Sequence, residues 1–150
     1  MRKGDTMRIS FKSVISVVFV IACLLGLASC KEETPDASGL WANAIYTEDT
    51  ELGSGAKTLS VEIEAEGKSV GFTIRTDKKI VGEALLEHDL IGGENGDFGI
   101  YIKTANGILA DYDVDQHYWA VYIGEEMAME GVDSIEIDES VTYRLVRETM

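Results

Sequence analysis

The chain has 150 residues, 45% hydrophobic and 27% charged, with 15 Gly and 1 Pro, which is room for one domain and little more. Asp and Glu number 27 against 13 Lys and Arg, a net charge of −14, and the basic Arg2, Lys3, Arg8 and Lys12 sit at the front, so the rest is more acidic still. Such a body repels nucleic-acid phosphates and anionic lipid, and Cys23 and Cys30 being the only cysteines excludes a disulfide framework, a cysteine-zinc site or a thiol nucleophile after residue 30.

Arg8 and Lys12 precede an almost unbroken apolar run over residues 14–27, too short for a comfortable membrane span. Met7 is an alternative initiator to Met1. The run closes on Leu27-Ala28-Ser29-Cys30, which resembles a bacterial lipobox. Small residues there let a peptidase reach the bond before Cys30, whose thiol takes the lipid. The expectation is a cleaved signal peptide over 1–29 and a lipidated Cys30 that anchors the chain on the extracellular face of a cell membrane. Two acyl chains hold stably where one is marginal. An uncleaved anchor helix with an incidental cysteine is the alternative.

Residues 30–55 are polar and turn-rich, with Pro35 and Gly53-Ser54-Gly55, and read as a flexible tether. Leu40-Trp41 and Ala44-Ile45-Tyr46 interrupt it, and are expected to dock on the domain as an edge strand. The folded body is placed at 56–150. Leu59, Val61, Ile63 and Ala65 alternate with Ser60, Glu62, Glu64 and Glu66, a half-buried strand, and Val70, Phe72 and Ile74 continue it as a hairpin turning at Gly67-Lys68. Val81, Ala84, Leu85 and His88 recur at helical spacing behind a Thr76-Asp77 cap, and the short helix stops before Gly92-Gly93. After a loop at Glu94-Asn95-Gly96-Asp97 come strands at 98–104 and 108–110 around an Asn106-Gly107 turn, then an acidic loop at 111–115. Strands at 118–123, 134–137 and 141–146 close the chain. Two strands, a crossing helix and further strands predict an α+β fold of the ubiquitin-like β-grasp type, a mixed sheet with one short helix.

The stretch Gly99-Ile100-Tyr101-Ile102-Lys103-Thr104-Ala105-Asn106-Gly107, followed by Tyr118-Trp119, Tyr122-Ile123 and Gly131-Val132, resembles the transcobalamin-like C-terminal domain family. That family includes the β-domain of the vertebrate cobalamin carriers and many bacterial surface lipoproteins. The resemblance implies a β-grasp fold and a cobalamin or other corrinoid ligand, with Tyr101, Lys103, Thr104, Tyr118, Trp119 and Tyr122 as candidate contacts. A corrin is a broad flat ring fringed with amides, so aromatic faces and hydroxyl or backbone groups suit it. Two departures stand out. The carriers' helical partner domain is absent here, and the hairpin after Ile123 turns on Gly124-Glu125 where the bacterial relatives have Asn-Gly. Gly at the first turn position still permits a type II′ hairpin.

The pleat itself divides the aromatics. Tyr118, Ala120 and Tyr122 share one side of their strand and Trp119, Val121 and Ile123 the other, the Trp119 side being the better core face. Tyr101 and Lys103 likewise share a face, opposite Ile100, Ile102 and Thr104. Asp111, Asp113 and Asp115 alternate as at the start of a calcium loop, but Gln116 and Tyr122 stand where Gly and Glu are required, leaving a weak metal site or a solvated loop. His88 and His117 lack ligand spacing, with His117 the better candidate metal or cobalt ligand. No nucleophile motif, phosphate loop or catalytic carboxylate pair is present, so a binding module is expected in place of an enzyme. The first reading is surface capture of a corrinoid for delivery to a vitamin transporter. The other is a protein-interaction or adhesion module with no small-molecule ligand.

Overall fold

Alternate burial builds most of the molecule. The computed structural model describes residues 39–97 and 99–150, so the expected signal peptide, the expected lipidation at Cys30 and the start of the expected tether lie outside the described residues. The protein is a mixed α+β fold dominated by strands. A 3-10 turn at Gly39–Asn43 is followed by β1 (Thr50–Gly53), β2 (Lys57–Ala65), β3 (Lys68–Thr76) and helix α1 (Val81–Glu87). Then come β4 (Ile91–Gly96), β5 (Gly99–Ala105), β6 (Ile108–Leu109), the single turn α2 (Tyr112–Asp115), β7 (His117–Ile123), β8 (Glu126–Met127) and β9 (Thr142–Thr149).

Six strands form one sheet in the order β1-β3-β2-β9-β7-β8, and β4-β5-β6 form a second. The β2–β3 hairpin is antiparallel, β9 lies parallel to β2, and β7 runs antiparallel to β9. The inner face carries Leu59, Val61, Ile63, Val70, Phe72 and Ile74, joined by Trp119, Tyr143 and Leu145, all buried. Val81, Ala84 and Leu85 of α1 and Ile91, Ile102, Ala105 and Ile108 of the smaller sheet complete the core. Hydrophobic burial on this scale outweighs the weak intrinsic stability of a seven-residue helix.

Turn chemistry follows the backbone. Glu66 and Gly67 both have positive φ, 54° and 73°, as do Asn106 and Gly107 at 49° and 77°, the pattern of type I′ turns. The first hairpin therefore turns one residue earlier than expected. In the Gly124-Glu125 turn only Gly124 is left-handed, at 61°, as a type II′ hairpin requires.

Six expectations change. Residues 39–55 are not tether but part of the folded body. Trp41 is 1% exposed and its indole N–H donates to the Ala65 carbonyl at 3.1 Å, while Tyr46 packs edge-on against Phe72 at 5.6 Å. The docked cluster is a 3-10 turn, and the edge strand comes from Thr50–Gly53, paired parallel to β3. The supposed loop at Glu94 is strand β4, because pairing with β5 supplies the order its glycines lack. The acidic segment winds into α2, with the Asp111 carboxylate accepting from the Asp113 N–H. Residues 134–137 form no strand beyond a single bridge, Ile80 to Glu136. The Ile135 carbonyl serves α1 instead, accepting from Val81 N–H, and Val132 just upstream accepts from Gly82 N–H. Those two bonds replace the expected Thr76-Asp77 cap. Among the described residues no helix is long and apolar enough to cross a membrane.

Candidate functional site

β5 presents Tyr101 and Lys103 on the exposed face of the smaller sheet, with Ile102 directed into the core. Tyr101 is 42% exposed and stands opposite Glu94 of β4. The neighbouring strand is low-relief, with Gly92, Gly93 and Gly96 among its six residues. Its register shifts between Gly92 and Gly93, and a Cβ at Gly93 would run into the Tyr101 carbonyl. Thr104 lies half-buried opposite Gly92, where any side chain would meet its hydroxyl. Lys103 is held between Glu94 and Asp111, each at 3.1 Å, and hydrogen bonds from its ammonium to Asp111 and then Glu94 raise its pKa. The result is a shallow platform with one aromatic ring and a fixed ion pair beside it.

Tyr118 and Tyr122 lie on the outer face of the larger sheet, away from the core. Their hydroxyls donate to the two oxygens of one carboxylate, Glu148, at 3.1 and 2.8 Å. That shared hydrogen bond, with burial and the carboxylate's charge, raises both phenol pKa values. The Arg144 guanidinium sits 5.5 Å from the Tyr122 ring centre and pairs with Glu64 at 3.0 Å. Trp119, a candidate contact, is a core residue at 6% exposure. The pleat reading of its strand thus holds, and Trp119 is corrected out of the accessible set. The six candidates do not converge: Tyr101, Lys103 and Thr104 belong to the small sheet, Tyr118 and Tyr122 to the outer face of the large one.

The acidic turn α2 connects the two. Asp111 takes Lys103, and Asp115 takes Arg147 of β9 at 2.7 Å, while Asp113 is exposed. Burial works to raise the Asp115 pKa, but hydrogen bonds from the His117 N–H, the Arg147 guanidinium and the Asp111 N–H outweigh it and hold it below the usual carboxylate value. His117 Nδ1 lies 2.6 Å from the Asp115 carbonyl, which can only accept, so that nitrogen carries the proton. Two of the three alternating carboxylates are therefore committed to cations of the protein. No group of three His, Cys, Asp or Glu is placed to hold a metal ion among the described residues. His88 has its Nε2 buried without a partner, packed against Gly53.

An open groove of about 530 Å³ on the outer face escaped the sequence reading. Asp49, Glu51 and Glu62 line it with Ser60, Thr73 and Thr142, and Asp49 accepts from the Gly71 N–H at 2.8 Å. These residues come from four strands and the approach to one of them, so no local motif announces them. Glu148 and Arg144 were missed for the same reason: only the β7–β9 register sets them opposite Tyr118 and Tyr122.

No family model and no curated protein matches the chain. Solved structures do. A protein from Ruminococcus gnavus ATCC 29149 to which metal binding has been ascribed is 26% identical with a TM-score of 0.59, over 63% of this chain and 99% of that one. Haptocorrin in complex with cobinamide is 18% identical with a TM-score of 0.46, over 65% of this chain and 27% of haptocorrin. The chain thus shares the fold of the Ruminococcus protein across nearly that protein's whole length, and spans about a quarter of haptocorrin.

Proposed function

We propose that this chain is a lipid-anchored binding module of the bacterial cell surface, with a transcobalamin-like β-grasp domain whose small sheet takes a corrinoid. In this reading Cys30 carries the lipid, the segment before Gly39 spaces the domain from the membrane, and no catalysis occurs. The strand order supports the β-grasp assignment: a first hairpin, a crossing helix, and a last strand parallel to the first strand of the hairpin in the middle of the sheet. One observation carries the ligand assignment. The motif of the family resemblance falls on β5 and its turn, and there Tyr101 is exposed beside a strand rich in glycine. A flat ring can lie on such a surface, using the Tyr101 face for dispersion and the Lys103–Glu94 pair for peripheral amides.

The platform is one wall only, so the affinity expected is modest, and a partner such as a transporter component would supply the other side. Absorbance titration of the full-length protein with cobinamide and cobalamin tests the reading. Saturable binding that Tyr101→Ala weakens supports it, and absence of binding up to millimolar ligand ends it.

A metal ion without a corrin is the second reading, motivated by the metal binding ascribed to the Ruminococcus protein. Here Asp111 and Asp115 would have to release Lys103 and Arg147 to become ligands. A melting temperature that chelator and added calcium leave unmoved removes it.

A further inference from the structure

Independently of the corrinoid reading, we propose that the β7–β8 hairpin is a docking surface for a basic amphipathic segment of a partner protein. The hairpin forms one edge of the larger sheet, and its last strand is only Glu126–Met127. Its apolar side chains are out in solvent: Ile123 is 37% exposed, Met127 48% and Met129 95%. Met127 stands opposite Tyr122 in register, so the apolar surface runs from the half-buried Tyr122 ring out to the hairpin edge. The hairpin itself is fixed, with Ala128 N–H donating to the Val121 carbonyl at 2.8 Å.

Single exposed apolar residues are ordinary, but Met127 and Met129 continuing from the Tyr122 ring at one sheet edge make a patch, with Ile123 on the opposite face of the strand. Methionine side chains are flexible and polarisable and adapt to differently shaped apolar partners. The charge around them selects the occupant. Glu125, Glu126 and Glu130 are all exposed. The cation that reaches this rim, Arg144, lies 3.9 Å from Glu125 and is already shared with Glu64 at 3.0 Å and Glu62 at 3.8 Å. A second copy would set these carboxylates against their equals, and anionic lipid would be repelled. A segment with Leu or Phe along one face and Lys or Arg beside it satisfies both the patch and its rim.

The test uses full-length protein carrying methyl-13C methionine, held in phosphatidylcholine nanodiscs with empty discs as the blank. It is titrated with a synthetic amphipathic Leu/Lys peptide and with a Leu/Glu peptide of the same apolar face. The Leu/Lys peptide should shift the Met127 and Met129 methyl signals saturably and leave Met150 in place. The Met127→Ala/Met129→Ala variant should melt as the parent does and bind about tenfold more weakly, and Glu125→Lys/Glu126→Lys should abolish binding. The proposal falls if the Leu/Glu peptide gives the same shifts, if Met150 moves equally, or if nothing moves up to millimolar peptide. It falls also if phosphatidylglycerol discs alone reproduce the shifts, which would make the patch a lipid contact. Cobinamide binding in the same sample reports on the small sheet, so the two readings fail separately.

Discussion

The two sheets of this molecule reach order by different routes. In β2 and β3 alternate side chains are buried from Leu59 to Ala65 and from Val70 to Thr76, and each strand is locked to its neighbour over nine residues. In β4 only Ile91 is buried, and the strand continues through glycines, Glu94 and Asn95 in the open. The large sheet is held by what it buries, whereas β4 is held by pairing and a bulge against β5, which with β6 anchors the small sheet in the core through Ile102, Ala105 and Ile108. A surface built from backbone and a few exposed side chains has little burial to lose when something lands on it, which is the better footing for a ligand.

That contrast predicts where damage is greatest. Trp41→Ala should cost about 3–5 kcal/mol in denaturant unfolding, because it empties a large core site and leaves the Ala65 carbonyl without its indole partner. A loss below about 1 kcal/mol would return residues 39–55 to the status of a tether. Asn106 comes next. Its buried side chain donates to the Tyr46 carbonyl at 2.7 Å and accepts from the Tyr46 N–H at 2.9 Å, and its φ is left-handed. Asn106→Ala should cost about 2 kcal/mol, and amide exchange should rise in β5 and β6 more than in β2. Equal rises in both sheets would mean that they open as one unit and that the contrast is only cosmetic.

Tyr101→Ala should do the opposite. The ring is exposed on the platform, so unfolding should change by less than about 0.5 kcal/mol while corrinoid affinity falls about tenfold. Tyr118→Phe and Tyr122→Phe, on the other sheet, should leave that affinity unchanged. If the pair matters and Tyr101 does not, the ligand lies on the outer face of the large sheet.

Legibility followed the same division. Period two revealed β2 and β3 because half of each strand is apolar, and the side of Trp119 was readable from the pleat alone. β4 was hidden because glycine carries no periodicity, and its strand character comes from β5. The segment at 134–137 looked like a strand from Ile135 and Ile137, yet its Ile135 carbonyl caps a helix, which is a tertiary arrangement invisible in local pattern. The candidate site was half legible. Aromatic residues could be found one by one, but that they divide between two sheets is a consequence of strand order. Glu148 and the Asp49–Glu51–Glu62 groove depend wholly on register.

The smallest predicted effect tests the join between the two sheets. Turn α2 reaches the small sheet through Asp111–Lys103 and the large one through Asp115–Arg147. Asp115 has a folded pKa below its ordinary 3.8, so the folded state binds that proton less readily than the unfolded chain. Its contribution to stability is therefore present above pH 3.8 and is lost as pH falls through the lower folded value. Asp115→Asn cannot titrate and should shallow the acid limb of the stability curve below that pH, with little change near neutrality beyond the loss of one partly exposed ion pair. The measurement is urea unfolding of the full chain at a series of pH values for parent and variant. Parallel acid limbs would mean that neither Arg147 nor the His117 N–H favours the charged form of this carboxylate, and the side-chain tie from α2 to β9 would then contribute nothing.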